Sequence, residues 1–408
     1  MPMKSSCLRF FAASICLPSA SQRRTLRTQA SLLLAMACTA LLLMPVSGSA
    51  QARSPAQNPW VGDAVSPEPA LATGLSPKLK RKDVAAALRK VADWQLQKSS
   101  PGFNQDWTFA ALYAGYMAVP EAVAGKKYQL AMLEVGKKYQ WQLGPRPAHA
   151  DDHAIGQSYI DLARLYPGQA DAGPTRARMD AVMQLPDDPA KPLWWWCDAL
   201  FMGPAVLAKL SRDTGERKYL DFMDREWWIT SGLLYNPKDH LYFRDKSFFA
   251  AHQANGANVY WARGNGWVFA GLARVLSEMP ADYPTRPRYV AQFREMAQAI
   301  AALQGADGLW RAGLLDQAEY TLPENSGSAF FTYGFAWGIN AGLLDGKQYK
   351  PVVEKGWRGL LAHVYADGRL GCIQPVGAAP GAFTPTSNYV YGTGAFLLAG
   401  SEVYRLAK

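Results

Sequence analysis

The chain has 408 residues, 49% of them hydrophobic and 19% charged, which supplies a sizeable core and excludes global disorder. Its net charge of +10 overstates the basicity of the body, because Lys4, Arg9, Arg23, Arg24 and Arg27 fall in the first 50 residues, which hold no acid. The remainder is mildly positive, compatible with an acidic substrate, and has no basic run of the kind that binds nucleic acid. Tryptophan is abundant, with 14 copies; indole faces either fill a large core or pack on the C–H faces of sugar rings.

In chain order, Arg23-Arg24-Thr25-Leu26-Arg27 precedes the uncharged stretch SLLLAMACTALLLMPV and then SGSAQA. A positive segment, an apolar core and small residues in that order predict a cleavable signal peptide over residues 1–50, cut after Ala50 or Ala52. The mature protein is therefore expected in the periplasm or outside the cell. The apolar core is short for a membrane span, and no stable membrane insertion is expected. Cys38 has the look of a lipoprotein signal, but Ala35 stands where a larger aliphatic residue belongs. Residues 51–80, rich in Pro, Ala and Ser, read as a flexible linker to a catalytic domain over 81–408. Cys197 and Cys372 are the cysteines outside the leader. They read as two buried thiols, with a bridge between them as the alternative.

Apolar spacing at three and four residues predicts twelve helices, near 83–98, 107–118, 121–142, 153–166, 174–185, 196–212, 216–231, 264–278, 287–303, 327–343, 349–365 and 390–407. Several open on small residues, as in GNGWVFAGLARVL, GSAFFTYGFAWGINAGLL and GTGAFLLAGSEVYRL. Glycine there lets a backbone approach a neighbour or a ligand. Residues 232–262 break the pattern with strand-like aromatic alternation, predicting a short hairpin or long loop. Twelve helices make an all-α protein: an (α/α)6 barrel, with the loops that join outer to inner helices forming a pocket at one end, or an open helical solenoid.

Four constellations carry candidate chemistry. In Trp194-Trp195-Trp196-Cys197-Asp198, followed by Ala199–Pro204 with Met202 among them, a carboxyl beside three indoles is either a buried, proton-holding acid or a helix N-cap. Asp151-Asp152-His153 opens another helix; adjacent acids with a histidine position one another, cap, or tune a proton. No second cluster of metal-ligand spacing accompanies them, so no metal is expected. Arg263, between Trp261 and Trp267, has the chemistry either to grip a carboxylate in two places or to form a structural bridge. Asp106-Trp107-Thr108 reads as a capped helix start with an aromatic to offer, and Tyr242, Arg244 and Asp245 fall in the loop before Arg263. Nothing resembles a Ser/His/Asp or Cys/His triad or a phosphate-binding loop.

Taken together, ADDHAIGQSY, WWWCDALFMGP, WARGNGWVFAGLARVL, DGLWRAGLLD, SGSAFFTYGFAWGIN and YGTGAFLLA, in that order over roughly 105–400, resemble the unsaturated rhamnogalacturonyl hydrolases of glycoside hydrolase family 105. The unsaturated glucuronyl hydrolases of family 88 are similar at greater distance. The resemblance implies an (α/α)6 barrel that removes a terminal Δ4,5-unsaturated uronic acid from pectin- or rhamnogalacturonan-derived oligosaccharides left by polysaccharide lyases. It implies hydration of the C4=C5 bond, without metal or organic cofactor. It places the acid/base on Asp198 and a second catalytic acid in the Asp-Asp-His motif, with Asp152 preferred. Substrate contacts are implied at Arg263 and Trp267, with Trp107, Thr108, Trp196, Met202, Asp151, His153 and Arg244 around them. Two other readings stand beside it: an (α/α)6 hydrolase of saturated glycans, and a noncatalytic periplasmic glycan-binding protein.

Overall fold

A computed structural model describes residues 59–62, 70–186, 188 and 191–408 of the chain. The predicted signal peptide and most of the predicted linker lie outside the described residues. Among the described residues, twelve helices of ten residues or more account for most of the structure. They are α1 (Arg81–Ser99), α2 (Trp107–Ala118), α3 (Lys127–Lys138), α4 (Gly156–Leu165), α5 (Gly173–Val182), α6 (Pro204–Thr214), α7 (Lys218–Leu234), α8 (Ala262–Glu278), α9 (Arg286–Ala302), α10 (Asn325–Asn340), α11 (Gly346–Leu361) and α12 (Val390–Leu406).

Burial sorts them into two rings. On α9 the buried residues are Tyr289, Gln292, Phe293, Met296, Ala297 and Ile300, one stripe at helical spacing. A single apolar stripe marks a helix with one face to solvent. By contrast α8 is buried without a break from Ala262 to Ala273, and α12 from Val390 to Val403. A helix covered on every side lies between an outer layer and the barrel axis. The even-numbered helices form this inner ring. Each packs against the next, and α12 packs against α2. That last contact closes the ring, so the molecule is an (α/α)6 barrel and not an open solenoid.

The small residues at helix starts make the closure work. A Cβ on Gly394 of α12 would stand 2.3 Å from the carbonyl oxygen of Ala111 on α2, and one on Gly327 of α10 would stand 2.9 Å from the carbonyl carbon of Ala262 on α8. Glycine is required for these inner backbones to touch. The same glycines are thus explained by helix contact, without a ligand.

Loops leading into inner helices (100–106, 139–155, 183–203, 235–261, 303–324 and 362–389) are longer than most of the returns, such as 215–217 and 341–345. They gather at one end, together with the inner-helix N-termini, whose partial positive charge favours anionic or oxygen-rich ligands. The expected hairpin is present as Tyr235–Asn236 (β1) paired antiparallel with Leu241–Tyr242 (β2), followed by a 3-10 turn at Lys246–Phe248. Two described parts of the predicted linker are laid on the barrel. Leu71 bridges to Tyr365, and Val390 N–H donates to Val61 O at 2.9 Å. These backbone bonds fix segments whose composition alone reads as flexible.

Candidate active site

The WARGNGW motif builds one wall of the site. It opens α8, and Asn265 accepts from Tyr242 N–H at 2.8 Å and donates to Tyr242 O at 3.0 Å. This pins β2 to the helix and delivers Arg244 two residues later. A second anchor comes from Cys197, whose N–H donates to Arg244 O at 2.8 Å. Gly264 leaves room for the Cys197 thiol; a Cβ there would stand 3.1 Å from Sγ. Cys197 and Cys372 are both free and buried, so no bridge joins them.

Asp198 sits in this frame. It precedes a four-residue turn, Ala199–Met202, with helical backbone angles, and its side chain makes no capping hydrogen bond. Its Oδ2 lies 3.5 Å from Cys197 Sγ and 3.6 Å from Arg244 Nε. Burial raises the Asp198 carboxyl above its ordinary range, while Arg244 and Arg263 pull the other way. The carboxyl does not cap the turn that follows it. Its own backbone N–H and the Cys197 thiol lower it slightly, and desolvation outweighs them and both arginines.

The Asp-Asp-His motif divides unlike the sequence expectation. Asp152 is clamped by Arg146, which donates from Nε at 3.1 Å and from Nη2 at 2.7 Å, with the Arg146 backbone N–H on the same carboxylate. Burial would raise Asp152, but these bonds hold it below the ordinary carboxylate value. A carboxylate saturated by one arginine six residues away is a structural clasp for the loop, and it does not fit the second catalytic acid expected there. Asp151 points the other way energetically. Burial, then the charge of Asp198, push it up to about 7. It is the acid that senses Asp198. Its N–H donates to Nδ1 of His149 at 3.3 Å, and the His149 ring packs on Trp196 with centroids 4.7 Å apart.

Several other expected contacts are core groups. Arg263 is fully buried between Trp261 and Tyr391, at 4.3 and 4.8 Å from their ring centroids, and donates to the carbonyls of Gln374 and Pro375 at 2.7 Å each. Both terminal nitrogens donate to backbone carbonyls, and its remaining donor, Nε, is fully buried, which places Arg263 in the core and not at a carboxylate. Trp267 is fully buried against Phe201 and Phe330 and offers no sugar a face. Met202 is buried in the core. His153 is buried with Nε2 on Pro147 O at 2.7 Å, and desolvation brings it down to about 4, so it is neutral and structural. Thr108 is buried and hydrogen-bonded to Asp106, the cap of α2. Trp107 is half-buried, stacked on Tyr391. Within the tryptophan run Trp194 and Trp196 are 1% and 3% exposed, whereas Trp195 is 45% exposed and is the ring facing solvent.

Trp107, His149, Asp151, Arg244 and Trp195 thus keep some exposure, and Asp198 is buried beside Arg244 and Cys197. Arg146, His149, Cys197 and Trp195 carried no role in the sequence reading. The signal available was adjacency: Cys197 abuts Asp198, and His149 lies two residues before Asp151. Among the described residues no three His, Cys, Asp or Glu side chains converge as a metal site requires, and no helix is long and apolar enough to cross a membrane.

The model of Glycosyl Hydrolase Family 88 matches residues 79–407. The chain belongs to this family. An unsaturated 3S-rhamnoglycuronyl hydrolase of Formosa agariphila is 38% identical over 350 residues, covering 80% of this chain and 92% of the relative. A protein of the same name from an Alteromonas species is 36% identical over 317 residues, covering 73% and 77%. Among solved structures, a family 88 glycosyl hydrolase from Bacteroides vulgatus superposes with a TM-score of 0.75 at 33% identity, covering 80% of this chain and 99% of its own. This family 88 protein is a glycoside hydrolase.

Proposed function

We propose that this family 88 hydrolase removes a terminal Δ4,5-unsaturated uronic acid from a short oligosaccharide, with Asp198 as acid and base. The observation that carries the reading is the state of Asp198: buried, free of capping, raised toward the neutral form, and 3.6 Å from Arg244. The names of the two curated relatives support a rhamnose neighbour to the uronate. A uronate joined to rhamnose is also the common element of the rhamnogalacturonan fragments expected from the sequence.

In this reading Arg244, whose Nε has no hydrogen-bond acceptor among the described residues, takes the uronate carboxylate in place of Arg263. Arg244 then no longer spends its charge on Asp198. The pKa of Asp198 rises on binding, and the acid is protonated when the substrate arrives. Asp198 gives that proton to C4 of the enol ether, and positive charge develops at C5 and the ring oxygen. Water attacks C5 and returns a proton to Asp198. The resulting C5 hemiketal opens by breaking its bond to the ring oxygen, which gives a C5 ketone and a C1 hemiacetal. That hemiacetal collapses to an aldehyde as the C1–O bond to the neighbouring sugar breaks and the departing oxygen takes a proton. One carboxyl serves both steps because proton and hydroxide add to adjacent carbons, unlike the two-carboxylate arrangement of ordinary glycosidases. Asp151, pushed up to about 7 by burial and by the charge of Asp198, orients the water.

Decay of the ultraviolet absorbance of the C4=C5 bond in an unsaturated uronyl-rhamnose disaccharide tests this. A hydrolase of saturated glycans and a binding protein both leave that absorbance unchanged. The leader pattern over residues 1–50 supports a periplasmic or secreted mature protein, and sequencing the N-terminus of the exported protein checks it.

A further inference from the structure

His149 has no part in the proton transfers at Asp198, yet its ring is built into the Asp151 side of the site. It is the N-cap of the four-residue turn Ala150–His153, and its Nδ1 accepts the backbone N–H of Asp151 at 3.3 Å. An imidazole nitrogen that accepts holds no proton, so the ring is neutral with its proton on Nε2. Burial and then the charge of Arg146 lower the His149 pKa, against Asp152, and keep the ring in that form. The ring packs on the buried Trp196 with centroids 4.7 Å apart. Its backbone is fixed on both sides: His149 N–H donates to Arg146 O at 3.3 Å, and Asp152 N–H donates to His149 O at 3.0 Å.

The same nitrogen faces the Asp151 side chain, with Oδ2 3.5 Å from Nδ1. A ring lone pair beside a carboxyl oxygen is repulsive when both are bare and attractive when a proton lies between them. Asp151 has such a proton near neutrality, since burial and the charge of Asp198 push it up to about 7. Arg146 also faces this oxygen, with Nη2 at 3.6 Å, and favours the ionised acid, whereas Asp106, Asp152 and Asp198 favour the neutral one. The imidazole lone pair adds to the second group.

We propose that His149 is a positioning residue for Asp151: its Nδ1 accepts a hydrogen bond from the protonated Oδ2 of Asp151, which leaves Oδ1 as the acceptor for the attacking water. The water's part rests on the function proposed above; the proton link between the two side chains does not. When Asp151 ionises, that donor is lost and the proton on the ring is drawn toward Nδ1, so the ring reports the state of the acid.

The test separates the ring from the cap. An asparagine oxygen also accepts a backbone N–H at an N-cap, so His149→Asn keeps the turn and removes the imidazole. Loss of a bond made only to the neutral acid lowers its pKa. The alkaline limb of kcat/KM, followed by loss of double-bond absorbance, is expected to move down by about half a unit to one unit, the worth of one hydrogen bond. In an Asp151→Asn background the same substitution is expected to move nothing further. An unmoved limb in His149→Asn, or an equal shift in both backgrounds, overturns the proposal. A second measurement needs no turnover: nuclear magnetic resonance of histidine-labelled protein, with the His149 signal assigned by its absence from His149→Asn. That signal is expected to follow the titration of Asp151 in the parent and to lose that inflection in Asp151→Asn; a titration identical in the two proteins overturns the proton link. A parent that leaves the double bond intact while its His149 signal follows Asp151 overturns the proposed function and the water's part, and leaves the link standing.

Discussion

Arg244 stands 3.6 Å from Asp198, Nε to Oδ2, and the two segments are joined again where Cys197 N–H donates to Arg244 O at 2.8 Å. The acid and the arginine are therefore one unit, set by the backbone and not by flexible side chains alone. Arg244 holds the pKa of Asp198 down, against burial. Arg244→Gln removes that restraint and the proposed grip on the uronate. The expected result is a KM about ten- to a hundredfold higher, the worth of a charge-assisted hydrogen bond, with the alkaline limb of the pH–rate profile moved to higher pH. A pH profile of kcat/KM with unchanged thermal stability checks both.

Arg263 is expected to behave oppositely. Its two hydrogen bonds to the carbonyls of Gln374 and Pro375 tie the loop before α12 to the start of α8. Arg263→Ala leaves buried carbonyls unsatisfied and costs about 3 kcal/mol or more of stability. Thermal or urea denaturation of Arg263→Ala beside Arg244→Gln separates the structural arginine from the substrate-facing one.

Asp151 and Asp198 titrate as a pair, because the charge of Asp198 is one of the causes that push Asp151 up to about 7. The second proton leaves such a pair at a higher pH than it would leave either acid alone. In Asp151→Asn only Asp198 remains to ionise, so the alkaline limb moves to lower pH, the reverse of Arg244→Gln. Asp152→Asn breaks the Arg146 clasp, and it is expected to lower stability without moving that limb. Profiles of the two neighbouring variants, measured side by side, decide which acid faces the reaction.

At α8's far end, Glu278 accepts from Lys209 at 3.0 Å and from Arg164 at 3.1 Å, joining α4, α6 and α8. Burial would raise its carboxyl, but the two cations outweigh burial and bring it from 4.5 to about 2. The stabilisation is complete above the ordinary glutamate value and is lost as pH falls from there through the folded value. It amounts to about 3 kcal/mol. Glu278→Gln is expected to be less stable at neutral pH and to lose less further stability on acidification between pH 4.5 and 2. Urea titrations across that range measure it.

The twelve helices were legible from apolar spacing at three and four residues; their sorting into two rings came with burial, a stripe on α9 and continuous cover on α8. The ring closure was not legible, since twelve helices fit a solenoid equally, and only the approach of Gly394 to Ala111 distinguishes them. The apolar setting of Asp198 suited a helix cap as well as a proton-holding acid, and only the ordered set of motifs singled it out; that it does not cap the following turn came with the structure. The choice between Asp151 and Asp152 was not legible, because the two acids are adjacent and Arg146 decides which is consumed. Both arginines were expected at the substrate, and Arg263 instead ties backbone segments together. The carbonyls that occupy Arg263 lie more than a hundred residues away in sequence, beyond any local pattern. Buried Trp267 and solvent-facing Trp195 are both tryptophans beside a motif, and only the fold distinguishes a core ring from a platform.

The central claim is that Asp198 protonates and then hydrates the double bond of a terminal unsaturated uronate. Its most direct test is Asp198→Asn on an unsaturated uronyl-rhamnose disaccharide, followed by the decay of double-bond absorbance, with circular dichroism as the check on folding. Loss of general acid and base together predicts a fall in kcat of at least about 10² to 10⁴ with an unchanged spectrum. Turnover within a few-fold of the parent, in a folded variant, would contradict the account.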